Sequence, residues 1–277
     1  MGRVTTRVPR TRVDVAAGTR VARPDTVAVE EPLEMRVAGS VVATTMRTPG
    51  DDFDLTIGHL LTEGLLRAGS DVGVLMHCTD VGPDGAPTFN VVEVGLSPGV
   101  ALAAPPRPRT ETMTSACGVC GSASIDAIRT HSRYAARPGL PRLDPEVVAA
   151  LPDTLRLSQA TFERTGGLHA AGLFTADGSP LVVREDVGRH NAVDKAVGAV
   201  ARTRSLPFDD LILVVSARAS FEIVQKATMA GVPVVVAVGA PSSLAVELAR
   251  DAGLTLIAFA RGSTFSIYAD SGRLLVP

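Results

Sequence analysis

The sequence predicts an α/β protein, with a smaller α+β N-terminal part followed by a layered α/β C-terminal part. Short, wholly apolar segments recur at residues 211–215, 234–238 and 254–259, as expected of parallel strands buried on both faces. Between them, helices open near Ser220 and Ser242, each with a hydroxyl placed to cap a first turn. Upstream, the apolar pattern instead alternates across turn residues, which marks a second kind of layer. At 277 residues and 45% hydrophobic content the chain can bury a large core, in one large or two small domains.

From the N-terminus, residues 1–23 are rich in Arg, Thr and Val, contain Pro9, and show no apolar period, so they are expected to form a mobile tail. Alternation around Leu33, Met35 and Val37, then Val41, Ala43 and Thr45, flanks Ala38-Gly39-Ser40 and predicts a hairpin. Thr48-Pro49-Gly50-Asp51 opens a core helix whose apolar face is Phe53, Ile57, Leu60, Leu61 and Leu65, with Gly69 as its stop. Two strands follow at 72–79 and 88–96, and Cys78 inside the first is expected to be a buried thiol. The stiff connector Pro105-Pro106-Arg107-Pro108-Arg109 leads into a cysteine-bearing loop and then a helix from Ser122. Residues 137–141, rich in Pro and Gly, mark the boundary between an N-terminal domain over 24–136 and a C-terminal domain over 142–277. Beyond it come a hairpin at Ala176-Asp177-Gly178, a helix carrying Val193, Val197 and Val200, and the β/α repeat. In open α/β sheets ligands bind beyond the carboxyl ends of the strands, here Ser216–Arg218, Gly239–Ser243 and Arg261–Thr264, which are expected to lie together.

Composition excludes several classes. A net charge of −2 provides no overall attraction to nucleic acid or anionic membrane, and 4% aromatic content with no Trp leaves few stacking surfaces. No apolar run is long enough to span a bilayer, and no signal peptide is evident. Three cysteines, Cys78, Cys117 and Cys120, make a poor disulfide framework, so a cytoplasmic protein is expected.

Cys117 and Cys120 form a CxxC with Gly118 inside it and Gly121 after it. The backbone can turn sharply there, and a following helix N-terminus can lower a thiol pKa. The motif alone admits a redox disulfide, half of a zinc site, or a carrier of persulfide sulfur. Zinc is the weakest of these, since Cys78 and the five histidines supply no second pair at ligand spacing. The HxE and PCxxC of zinc deaminases are also missing: Ala170 and Ala171 follow His169, and no Pro precedes Cys117. The densest polar cluster is the run from Glu185 to Lys195. Read without a role in chemistry, it is a strand-to-helix turn with Asp186 as cap, an exposed helix face and His190 as a packing residue. Phe259-Ala260-Arg261-Gly262-Ser263-Thr264 follows the last parallel strand. It combines a guanidinium, two hydroxyls and a glycine permitting close approach, a set suited to phosphate or to an ordinary turn.

These segments together resemble the formate dehydrogenase accessory sulfurtransferase family, the FdhD or NarQ type, from about Val29 to Tyr268. The resemblance is carried by Glu30-Glu31-Pro32-Leu33, Met46-Arg47-Thr48-Pro49-Gly50-Asp51, Glu63-Gly64, Cys117-Gly118-Val119-Cys120-Gly121, Thr165-Gly166-Gly167-Leu168-His169 and the Glu185–Lys195 run. Ala219-Ser220-Phe221-Glu222, Ser243-Leu244-Ala245 and Phe259-Ala260-Arg261-Gly262 complete it. It implies a C-terminal fold similar to cytidine deaminases without their zinc site, and a homodimer. It further implies that a cysteine desulfurase loads sulfur onto the CxxC loop, for delivery to the bis(molybdopterin guanine dinucleotide) molybdenum cofactor of formate dehydrogenase. Cys117 is then the persulfide cysteine, Cys120 its supporting partner, and Phe259, Ala260, Arg261, Gly262, Ser263 and Thr264 contact the cofactor. One departure is Ala217, where the family has Gly in Ser-Gly-Arg. If that position needs positive φ or close ligand approach, the alanine costs about 1 kcal/mol or crowds the ligand. The rival reading is a non-catalytic chaperone that binds the cofactor and docks on the dehydrogenase without moving sulfur. A thiol-disulfide oxidoreductase would instead reduce generic disulfides.

Overall fold

The computed structural model describes residues 3–78, 85, 88–103 and 132–275, and its strands form three sheets. β1 (Thr5–Asp14) and β2 (Thr19–Ala28) make an antiparallel ribbon. β3 (Glu31–Val37), β4 (Ser40–Arg47), β5 (Val72–Cys78) and β6 (Val91–Leu96) form a four-stranded sheet in the order β4-β3-β6-β5. The third sheet contains β7 (His169–Phe174), β8 (Pro180–Asp186), β9 (Ile212–Val215), β10 (Val234–Ala237), β11 (Thr255–Arg261) and β12 (Thr264–Ala269). Its order is β12-β11-β10-β9-β7-β8, with β9, β10 and β11 parallel and antiparallel strands on both flanks.

The parallel strands alternate between two cores. Ile212, Val214, Val234 and Val236 face a cluster with Val148, Leu151 and Leu155 of α2 (Pro145–Leu157). Leu213, Val215, Val235 and Ala237 face the opposite cluster, with α4 (Arg189–Ala201), α5 (Phe221–Met229) and α6 (Ser243–Asp251). That second cluster continues without a break through α1 (Asp52–Thr62) to Leu33, Met35, Val92 and Val94 of the four-stranded sheet. The N- and C-terminal parts therefore share one core. The 137–141 segment is correspondingly no free linker: buried Arg273 donates to the carbonyls of Arg137 and Leu140 at 2.9 and 2.6 Å.

α1 and α4 cross at two glycines. A Cβ on Gly58 would sit 1.8 Å from the Asp194 carbonyl oxygen, and one on Gly198 would sit 1.9 Å from that of Asp54. Only hydrogen side chains allow the backbones this close, and the crossing joins the N-terminal part to the C-terminal sheet.

Three sequence expectations are corrected here. Residues 5–28 form the β1–β2 ribbon where a tail was expected; both of its faces are largely exposed, so it carries no apolar period to recognise. α1 stops at Thr62 rather than near Gly69, because Gly64 takes φ 74° and the Leu65 and Leu66 amides both turn back onto the Leu60 carbonyl. Cys78 is a free thiol but only partly buried. The expected helix from Ser122 lies outside the described residues.

Candidate functional site

A cleft of about 580 Å³ opens beyond the carboxyl ends of β9, β10 and β11, within the size range of small-molecule sites. Ser216, Val238, Ala260 and Arg261 form its floor, and α2 with the short α3 (Ala160–Thr165) and the 166–169 turn forms its wall. Gly166 ends α3 at φ 65°, a left-handed conformation that turns the chain into β7 and places Gly167, Leu168 and His169 on the cleft. Ser216 accepts the Ala170 amide at 2.9 Å, which fixes the start of β7 against β9. On the wall, the Arg156 guanidinium stacks over Phe162, 4.6 Å from the ring centroid, and pairs with Glu163 at 2.6 Å.

Electrostatics set the character of one edge. Burial lowers the pKa of His169 below its ordinary 6.5, and the neighbouring Arg189 and His190 lower it further against the opposing pull of Asp186. His169 thus presents a neutral imidazole to the cleft at pH 7. Behind it, His190 Nε2 lies 2.7 Å from Glu222 Oε2 and 3.4 Å from Ser220 Oγ. The hydrogen bond from His190 outweighs burial and holds the Glu222 carboxyl below its usual range.

Of the expected strand-end segments, Ser216–Arg218 and Gly239–Ser243 meet, while among Phe259, Ala260, Arg261, Gly262, Ser263 and Thr264 only Ala260 and Arg261 line the cleft. The Ala219 amide bonds the Ala240 carbonyl, Gly239 bonds Ala217, and Phe259 bonds Gly239. Ala217 does not occupy the positive-φ region, so an alanine there carries no backbone strain. Phe259 does occupy it, at φ 52°, where a bulky side chain costs on the order of 1–3 kcal/mol. The strain coincides with a register shift between Ala258 and Arg261, which puts Ala260 on the same buried side as Ile257 and leaves the Phe259 ring 47% exposed. Arg261, Gly262, Ser263 and Thr264 form the exposed turn joining β11 to β12, so the parallel strand runs further than its apolar pattern indicates. Cys117 and Cys120 lie outside the described residues. Among the described residues no cluster of His, Cys, Asp or Glu could hold a metal ion, and no helix is long and apolar enough to cross a membrane.

The Glu185–Lys195 run is largely architectural. Asp186 is fully buried; it accepts the Thr48 and Gly188 amides and pairs with Lys195 Nζ at 2.8 Å. The helix face expected to be exposed is buried at Asn191, Asp194 and Lys195. Lys195 also donates to the Thr48 carbonyl and Asn191 to that of Met46, clamping the end of β4 onto the β8–α4 turn. Arg47, 1% exposed, is held by Asp52 and Glu31, while Lys226 joins Asp194 at 2.9 Å and Glu63 at 3.3 Å. Glu185 accepts the Thr161 and Phe162 amides and so fixes α3 beside the cleft. The α2 lining, from Pro152 to Arg156, was missed in the sequence, although Asp144-Pro145 is a cap followed by an N1 proline and Val148, Leu151 and Leu155 repeat at helical spacing.

These features define the molecule as an α/β protein with a cleft of small-molecule size at its strand ends and the Gly166-Gly167 turn on its lining. The chain belongs to the FdhD/NarQ family, which it matches over residues 28–275. It is 51% identical over 275 residues to the sulfur carrier protein FdhD of Streptomyces avermitilis, covering 99% of this chain and 97% of that one. The protein of the same description from Mycobacterium tuberculosis is 49% identical over 268 residues, covering 94% and 95%. In fold it is similar to the crystal structure of a candidate formate dehydrogenase accessory protein from Desulfotalea psychrophila. There the TM-score is 0.75 at 21% identity, over 99% of this chain and 100% of the other.

Proposed function

We propose that this protein is a cytoplasmic, homodimeric sulfur carrier that takes persulfide sulfur from a cysteine desulfurase and delivers it to the molybdenum cofactor of formate dehydrogenase. The observation that carries this is near-full-length identity of about half to relatives described as sulfur carriers. The cleft supports the cargo. Its volume suits one nucleotide end of a bis(molybdopterin guanine dinucleotide), Arg261 and Ser216 on its lining offer donors for phosphate, and Gly166-Gly167 allows close backbone approach. The neutral His169 can accept or donate one hydrogen bond without adding charge.

The chemistry follows from thiol exchange. The Cys117 thiolate attacks the outer sulfur of the donor persulfide; a new S–S bond forms at Cys117 and the donor cysteine leaves as thiolate. Attack by Cys120 on the Cys117 sulfur then expels the outer sulfur as sulfide to the cargo, leaving a Cys117–Cys120 disulfide that a thiol reductant must reopen. Cys117→Ala abolishes maturation of formate dehydrogenase while the purified protein keeps its folded circular-dichroism spectrum. Full maturation by that variant would overturn the assignment.

A further inference from the structure

We propose that the β1–β2 ribbon is a docking arm for a second copy of this chain, seating on an acidic face formed by α2 and the β7–β8 turn. The proposal rests on the homodimer reading above. Six arginines and two aspartates give residues 1–28 a charge of +4, leaving −6 on the rest of a chain whose total is −2. Strand alternation puts Arg10, Arg12 and Arg23 on one face of the ribbon, with Arg10 directly opposite Arg23. Like charges facing each other across two strands destabilise the pairing, and a lone two-stranded ribbon is marginal in water. Asp25 pairs with Arg10 at 2.8 Å, but Arg12 and Arg23 have no ion pair among the described residues. The tip is also apolar: Val13, Val15 and Val21 are 55%, 90% and 44% exposed. The base of the ribbon is anchored on α3, where Arg164 donates to Thr5 Oγ1 at 3.0 Å, while its arginine face and tip meet no surface among the described residues.

The complementary surface is on the same molecule. Asp144 caps α2, and Glu146 and Asp153 are exposed on it, separated by seven residues and hence on one side of the helix, Asp153 at the margin of the cleft. The β7–β8 turn packs against Val147 through Gly178, which brings exposed Asp177 to the same face. None of these four carboxylates has a cationic partner among the described residues. In a twofold dimer each ribbon meets the other copy's acidic face, so both contacts form together.

The test is sedimentation of the full chain. Arg10→Glu/Arg12→Glu/Arg23→Glu and Asp144→Lys/Glu146→Lys/Asp153→Lys each raise the dimer dissociation constant roughly tenfold or more, and an equimolar mixture restores the parent value because both contacts are then matched again. Raising salt from about 0.1 M to about 1 M, which shortens the screening length from about 10 Å to about 3 Å, weakens the parent dimer. A monomeric parent overturns both the ribbon contact and the dimer. A dimer unchanged by ribbon reversal, or a mixture that stays dissociated, overturns the ribbon contact alone. Persulfide loading, read by mass on the same samples, reports on the carrier assignment separately.

Discussion

Asp194 and Lys226 show how the family motifs act at the scale of single residues. Burial alone would raise the Asp194 pKa, but Lys226 and His59 together bring it below its ordinary value; burial alone would likewise lower the Lys226 pKa, but Asp194 and Glu63 overcome it and the pKa is raised. The depressed carboxyl contributes stability above its unfolded pKa of about 3.9, which is lost as pH falls through the folded value. The raised ammonium contributes below about 10.4, which is lost as pH rises through its folded value. The pair therefore supports the fold from about pH 4 to about pH 10, and Lys226→Met, which leaves Asp194 buried and unpaired, costs about 3–5 kcal/mol at pH 7 by urea denaturation. A loss below about 1 kcal/mol would show that the pair is not holding the junction. Phe259 gives the opposite case. Phe259→Gly removes the left-handed strain and stabilises by about 1 kcal/mol in thermal melts, while calorimetric binding of guanosine diphosphate weakens. Unchanged binding would remove Phe259 from the cleft's function. The Asp194–Lys226 pairing was not legible in the sequence: Asp194 and Lys195 read as exposed because a run of charges usually is, and only tertiary contacts reveal their partners.

Among elements, the α1–α4 crossing decides how the two sheets are joined. Gly58→Ala and Gly198→Ala each force a methyl into the opposing backbone and destabilise by about 1–3 kcal/mol or more, read as a lowered melting temperature. A melting temperature equal to the parent's would mean the helices can separate without loss. Sequence pattern located most elements because their burial imposes a period: the β9, β10 and β11 segments are apolar throughout, and α1 shows its spacing at Phe53, Ile57 and Leu60. It failed where burial imposes none, as in the exposed β1–β2 ribbon, and where one local turn residue competed with another, as Gly64 did with Gly69. The strand-end loops were found by topology, since parallel connections carry their carboxyl ends to one edge, whereas the α2 wall belongs to no strand end and needed the cap at Asp144 to be recognised.

For the whole molecule, the shared core makes cooperative behaviour the expectation. One cluster runs from Leu33 through α1 and α4 to Ala269, and ion pairs of Asp54 with Arg184 and Arg202, and of Glu63 with Lys226, cross the junction. Calorimetry accordingly gives a single unfolding transition with the 24–136 and 142–277 parts melting together, and two resolved transitions would show them to be independent domains. Such a scaffold holds the cleft rigidly, and the proposed exchange at Cys117 and Cys120 is tested apart from it. The most direct measurement is intact mass spectrometry after incubation with a cysteine desulfurase and cysteine, for the parent protein, Cys117→Ala and Cys120→Ala. A reductant-sensitive gain of sulfur in the parent and in Cys120→Ala, absent in Cys117→Ala, is the predicted result; a parent that gains none from a competent donor would contradict the carrier function.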